Sequence, residues 1–89
     1  MGEEDFSISF KKYLDLIVKP KFPQISDIVV IREADRPTPF GWSQVYNIRF
    51  FVNSRDEEFK DDVRAHVKSM KSYLGVPDDV SLAWGFTKV

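Results

Sequence analysis

His66 is the only imidazole in the chain, and it sits between Val63 and Val67 in a run whose apolar residues recur at threes and fours. A histidine acts as a general base or a metal ligand when a second group orients it and a substrate or cation faces it. There is no cysteine to activate, and no serine stands in a nucleophile-elbow pattern. Its place at the flank of an apolar stripe predicts a packing or boundary role. Carboxylates group at Asp56-Glu57-Glu58, Asp61-Asp62 and Asp78-Asp79. Paired acids can hold a hard cation or divide acid and base duties, but none of these groups has the spacing of a calcium loop. The first two groups fall in the early turns of a helix, where the helix dipole accounts for them, and the third follows Pro77 at a turn. Gly2, Gly41, Gly75 and Gly85 are scattered, so no phosphate-cradling loop can be built. No catalytic, metal or cofactor-binding residue is assigned, and a non-enzymatic role is expected.

Contact chemistry is better represented. Arg36-Pro37-Thr38-Pro39-Phe40-Gly41-Trp42 places two rings and an arginine beside prolines. Aromatic residues and arginine are enriched where proteins dock, and proline lowers the cost of ordering. The competing expectation is that Phe40 and Trp42 fold back to cap the core. A second candidate lies on the strand over residues 42–53, where Val45 and Phe51 alternate away from Ile48, Phe50 and Val52. Together with Ile28, Val30, Ala83 and Gly85 they are expected to form an apolar sheet face that asks for a partner. The sequence Asn47-Ile48-Arg49-Phe50-Phe51-Val52 also invites comparison with the aromatic strand of an RNA-recognition domain, but the glycines and basic surroundings of that motif are missing.

The elements that must position these residues are legible. Phe6, Phe10, Tyr13, Leu14 and Ile17 share one face of a helix over residues 6–18, with Asp5 or Ser7 as its cap and Pro20 as its stop. The connector Lys19-Pro20-Lys21-Phe22-Pro23 spells Pro-x-x-Pro, the skeleton of a polyproline ligand, but reads first as that stop signal. Ile28-Val29-Val30-Ile31, within a strand over 25–33, is β-branched and unalternated, which predicts burial on both faces and a central position. Residues 42–53 alternate as a half-buried strand, with Trp42, Tyr46, Ile48, Phe50 and Val52 pointing one way. A hairpin loop too long for a tight turn joins the two. Ser54-Arg55-Asp56-Glu57 has capping-box spacing, and Phe59, Val63, Val67, Met70 and Leu74 then trace a helical stripe that Gly75 ends. Val80, Leu82, Trp84 and Phe86 alternate as a third strand.

The order α-β-β-α-β predicts one α+β domain spanning residues 1–89. A right-handed crossover makes the third strand parallel to the second. Placing the first strand between them gives a three-stranded antiparallel sheet of order 2-1-3, a split β-α-β, with two helices on one face. The element order is shared in outline by the cytoplasmic domains of cation-efflux transporters and by some phage tail-completion proteins. The transporter likeness would imply histidine or acidic metal ligands, and one mid-helix histidine is a poor match for that chemistry.

Length and composition set bounds on function. Eighty-nine residues make one core, and eight phenylalanines, three tyrosines and two tryptophans can fill it. The absence of cysteine excludes disulfides and thiolate zinc sites. A net charge of −1 with interleaved signs lacks the basic footprint of a protein that neutralises many phosphates, so nucleic acid is disfavoured as a partner. The apolar runs are too short to span a bilayer, and Met1-Gly2-Glu3-Glu4-Asp5 is acidic where a secretory signal is basic. A cytoplasmic or otherwise intracellular soluble chain is expected, binding a protein partner or a second copy of itself. Two alternatives stand beside that reading. One is a weak single-stranded nucleic-acid binder stacking bases on Phe51, Arg49 and Trp42. The other is a regulatory domain excised from a larger protein.

Overall fold

The computed structural model describes residues 5–89, so the acidic start from Met1 to Glu4, including Gly2, lies outside the described residues. Helix α1 covers Ser7–Tyr13 and passes into a π-helical turn at Leu14–Val18 and a 3-10 turn at Lys19–Lys21. Strands β1 (Ile25–Arg32), β2 (Arg36–Thr38), β3 (Gly41–Ser43) and β4 (Val45–Val52) follow. Helix α2 (Glu58–Leu74) then leads to strand β5 (Ser81–Lys88).

The α+β class and the two helices agree with expectation, but the sheet differs in order and direction. Its order is β1-β4-β5, with β1 antiparallel and β5 parallel to β4. The 42–53 strand, not the 25–33 strand, is therefore central. Helix α2 returns the chain directly to the free edge of β4, the short connection for a parallel strand-helix-strand unit. Strand β1 is an edge. Its β-branched run is not buried on both faces, since Ile31 is 50% exposed. A run of Ile and Val marks a strand without saying which of its faces is covered.

Strand β4 supplies the floor of the core. Tyr46, Ile48, Phe50 and Val52 are all buried on the face that also receives Phe10, Leu14 and Val18 from the first helical segment and Phe59, Val63, Val67 and Met70 from α2. Leu82, Trp84 and Phe86 of β5 pack on the rim of this cluster. Phe86 stacks on Phe50 with ring centroids 5.2 Å apart, and the ammonium of Lys60 lies 5.3 Å from the Phe86 ring centre. The Tyr46 hydroxyl accepts the Phe6 amide at 2.9 Å and donates to Gln44 Oε1 at 2.6 Å, while its ring meets Phe10 edge-on at 5.0 Å. One side chain thus fixes the start of α1 against the sheet. Burial raises the Tyr46 phenol above its ordinary value of 10.0.

The helix ends show where local signals were displaced. Asp5 accepts the Ser7 amide at 2.9 Å, and that hydrogen bond holds its carboxyl below the usual range. Pro20 lies inside the 3-10 turn rather than just past a regular α-helix. Proline has no N–H to give and crowds the carbonyl four residues back, and the winding loosens ahead of it. Helix α2 starts at Glu58, later than the Ser54 box implies. The Ser54 hydroxyl accepts the Asp56 amide, and Asp56 in turn accepts the Glu58 amide at 2.9 Å. Two nested turns replace the reciprocal box. The C-terminus follows the sequence. Gly75 adopts φ 69°, Val76 N–H reaches the Lys71 carbonyl at 2.9 Å, and Gly75 N–H reaches that of Ser72 at 3.3 Å. This pair of bonds is the Schellman arrangement.

Asp56→Ala is expected to cost about 1 kcal/mol for the lost hydrogen bond to the first helical amide, more than Ser54→Ala, and Gly75→Ala a similar amount by forcing a side chain into left-handed backbone. Urea unfolding midpoints check the ranking. A second expectation concerns pH. An unfolded tyrosine ionises near pH 10 while buried Tyr46 holds its proton, so above that pH the unfolded chain binds fewer protons and stability falls. Denaturant titrations should show this alkaline loss in the wild type and a smaller one in Tyr46→Phe. That variant should start lower at neutral pH, by about 1 kcal/mol for the hydrogen bonds lost.

Candidate interaction surfaces

The segment expected as a long loop is a two-stranded ribbon. Arg36 pairs with Ser43, Pro37 with Trp42 and Thr38 with Gly41, leaving Pro39-Phe40 as a two-residue turn. Proline suits the first central position of a type I turn and glycine the residue after it, and Phe40 keeps negative φ. The Thr38 hydroxyl accepts the Phe40 amide at 3.2 Å and donates to the Gly41 carbonyl at 2.9 Å. Gly41, at φ 123°, takes a backbone conformation that a side chain would strain.

Both legs of the ribbon are anchored to the sheet. Arg32 pairs with Asp35 at 3.4 Å just before β2. At the end of β3 the buried Ser43 hydroxyl donates to the Asp79 carbonyl, and just beyond it the Ser81 amide donates to the Gln44 carbonyl at 2.9 Å. Lys71 adds to this corner by donating to the carbonyls of Asp78 and Val80. The chain leaves strand geometry at Gln44, and this break decides the fate of Trp42. Expected on the core side with Tyr46 and Ile48, it lies instead on the ribbon, 68% exposed. Phe40 at the tip is 99% exposed, with Arg36, Pro37 and Pro39 exposed beside it. The rings do not fold back onto the core.

The sheet face away from the helices differs from the apolar face expected there. Ile28 pairs with Phe50 and Val30 with Ile48, so both belong to the helix-covered side, and Ile28 is buried. An irregularity between Ile25 and Asp27, where Ser26 is the extra residue, shifts the alternation of β1. The residues of β1 on the open side are Asp27, Val29 and Ile31. Val45 is buried, outside the main cluster, and Phe51 is half-buried. Between them Asn47 hydrogen-bonds Glu33 at 3.5 Å and Arg49 hydrogen-bonds Thr87 at 3.3 Å. Polar pairs thus interrupt the open face. Arg49 and Phe51 share it, while Trp42 stands on the ribbon beyond Gln44. His66 meets the Phe22 ring edge-on at 5.9 Å, and no cluster of three or more metal-ligating residues occurs among the described residues. No helix among them is long and apolar enough to cross a membrane.

Sequence reasoning overlooked Ile8, exposed on α1, Leu16, exposed on the π-helical turn after it, and exposed Ile31 on β1. Ile8 and Leu16 lie off the Phe6-Phe10-Tyr13-Leu14-Ile17 stripe at a spacing of eight, and that departure was the available signal. No protein-family model, curated protein or solved structure matches the chain.

The ribbon geometry has a direct optical consequence. A Trp84→Phe variant, which keeps Trp42, should show fluorescence strongly quenched by acrylamide, and a Trp42→Phe variant, which keeps half-buried Trp84, should be markedly more protected. Equal quenching of the two would contradict an exposed Trp42.

Proposed function

We propose that this domain is a non-enzymatic protein-binding module whose contact element is the β2–β3 ribbon, with Phe40 and Trp42 as anchors and Arg36 beside them. The observation that carries the reading is the full exposure of Phe40 next to Trp42 on a ribbon tied at both legs. Burying a ring of this size is worth about 2–3 kcal/mol, a gain the isolated fold forgoes at its most prominent tip. Two prolines and the Thr38 hydrogen bonds order the turn beforehand, which reduces what association must spend on ordering it. Tryptophan and arginine are among the residues that dominate interface energies.

The test compares wild type with a Phe40→Ser/Trp42→Ser double variant, each produced in the native host at its normal level. The variant should keep the wild-type melting temperature, because neither ring packs on the core. Proteins that co-purify with the wild type should be lost from the variant. In a reconstituted pair, each single substitution should weaken binding by about thirtyfold, as expected of an anchor worth 2 kcal/mol. An unchanged set of co-purifying proteins would remove the ribbon from the binding surface.

A further inference from the structure

Strand β1 is an edge whose outer side pairs with no other strand among the described residues, and the first helix overhangs it. The two enclose a groove of about 750 Å3, lined by Ile8, Lys11, Lys12, Asp15 and Leu16 on one side and Asp27 to Val30 on the other. Which backbone groups face the groove follows from the ladder. The Glu33 amide donates to the Val45 carbonyl directly opposite, so Glu33, Ile31 and Val29 turn their hydrogen-bonding groups toward β4. Ile28 and Val30 turn theirs outward. The Ile28 amide is satisfied by the Asp27 carboxylate at 2.8 Å, which leaves the Val30 N–H and C=O presented along the edge. Edge strands usually carry a lysine, a proline or a cover against pairing. The run Ile28–Ile31 carries no such residue; the β1 irregularity lies ahead of it.

We infer that β1 pairs antiparallel with β1 of a second copy about a two-fold axis, joining two sheets into one of six strands. The edge is self-complementary in one register, with Ile28 opposite Val30 of the copy and Val29 opposite Val29. That register places outward-facing residues against outward-facing residues, keeps side-chain faces matched, and lets each Val30 N–H donate to the Ile28 carbonyl of the copy while the Ile28 amide stays with Asp27. It also sets Asp27 opposite Ile31 and Ser26 opposite Arg32, so no like charges meet. Centring the axis on Val30 instead would oppose Asp27 to Glu33, which disfavours it. The groove carries two lysines and two aspartates, so two copies approach without net repulsion. Exposed Ile8 and Leu16 overhang the edge on the helix side, and half-exposed Ile31 flanks it on the open side. Pairing covers apolar surface on both. This surface is distinct from the ribbon and does not depend on its role.

Sedimentation of the purified chain across a wide concentration range tests the inference. The wild type should sediment at twice the 10.4 kDa chain mass at high concentration. Val30→Pro removes the outward N–H while sparing the bonds to β4, a position where an edge strand accepts proline. It should be monomeric with an unchanged circular dichroism spectrum. Two further variants read the register at an exposed site that tolerates change. Ile31→Asp faces Asp27 of the copy and should weaken the dimer about tenfold, as two like-charge contacts arise per dimer. Ile31→Lys faces the same carboxylate and should retain it. A wild type that remains at 10.4 kDa throughout overturns the inference and leaves the groove to an extended segment of another protein. A dimer unaffected by Ile31→Asp, or lost equally in Ile31→Lys, overturns it as well.

Discussion

Strand β4 is paired along both edges and buried on one face, and every other element takes its place from that constraint. Its backbone is satisfied by antiparallel β1 on one side and parallel β5 on the other. Buried peptide groups cannot be left unpaired without a cost of about 1–3 kcal/mol each, so a strand that forms the floor of the core must find two neighbours. Helix α2 is the connection that makes the parallel neighbour possible. Its apolar stripe, Phe59 to Met70, lies over the strand it has just left. Because β4 holds Tyr46, Ile48, Phe50 and Val52 on one face, both helices have the same surface to cover.

Tyr46 links that floor to the first helix. Its ring packs with Phe10, and its hydroxyl reaches both the Phe6 amide and the Gln44 side chain. A phenol can be buried there only because both its hydrogen-bonding capacities are met. The contact brings α1 down near the β1 side of the sheet, and the loosened winding before Pro20 carries the chain on toward the start of β1. The price of that placement is an uneven cover, with Ile8 and Leu16 turned outward over a groove.

The same fold leaves its largest exposed ring far from the core. The sheet's open face is interrupted by the Asn47–Glu33 and Arg49–Thr87 hydrogen bonds, so its apolar residues do not merge into one patch. The ribbon behaves differently. It is anchored by Ser43, Gln44 and Asp35, yet Arg36, Pro37, Pro39, Phe40 and Trp42 stay exposed. A small domain that buries or half-buries ten of its thirteen aromatics yet holds Phe40 and Trp42 in water places much of its available ring surface at that tip.

Much of the local structure was written in the sequence. The stripe of α2, its glycine stop, the face of α1, the alternation of β4 and β5 and the α+β class all follow from spacings within a few residues, because helix and strand periods are properties of the backbone itself. The aromatic-proline segment was visible as a contact candidate for the same reason. What tertiary structure decided was long-range. The rival neighbours of β1 and β5 have similar apolar composition, so composition could not say that β4 would be central. Ser26 looks like any strand residue, yet the irregularity around it moved Ile28 and Val30 to the covered side and put Val29 and Ile31 on the open one. Gln44 gave no warning that alternation would break there, since the break depends on bonds from Ser43 and Gln44 to Asp79 and Ser81, more than thirty residues away. Periodicity fixes which residues share a face, but pairing and irregularities decide what that face meets, and those are set by partners distant in the chain.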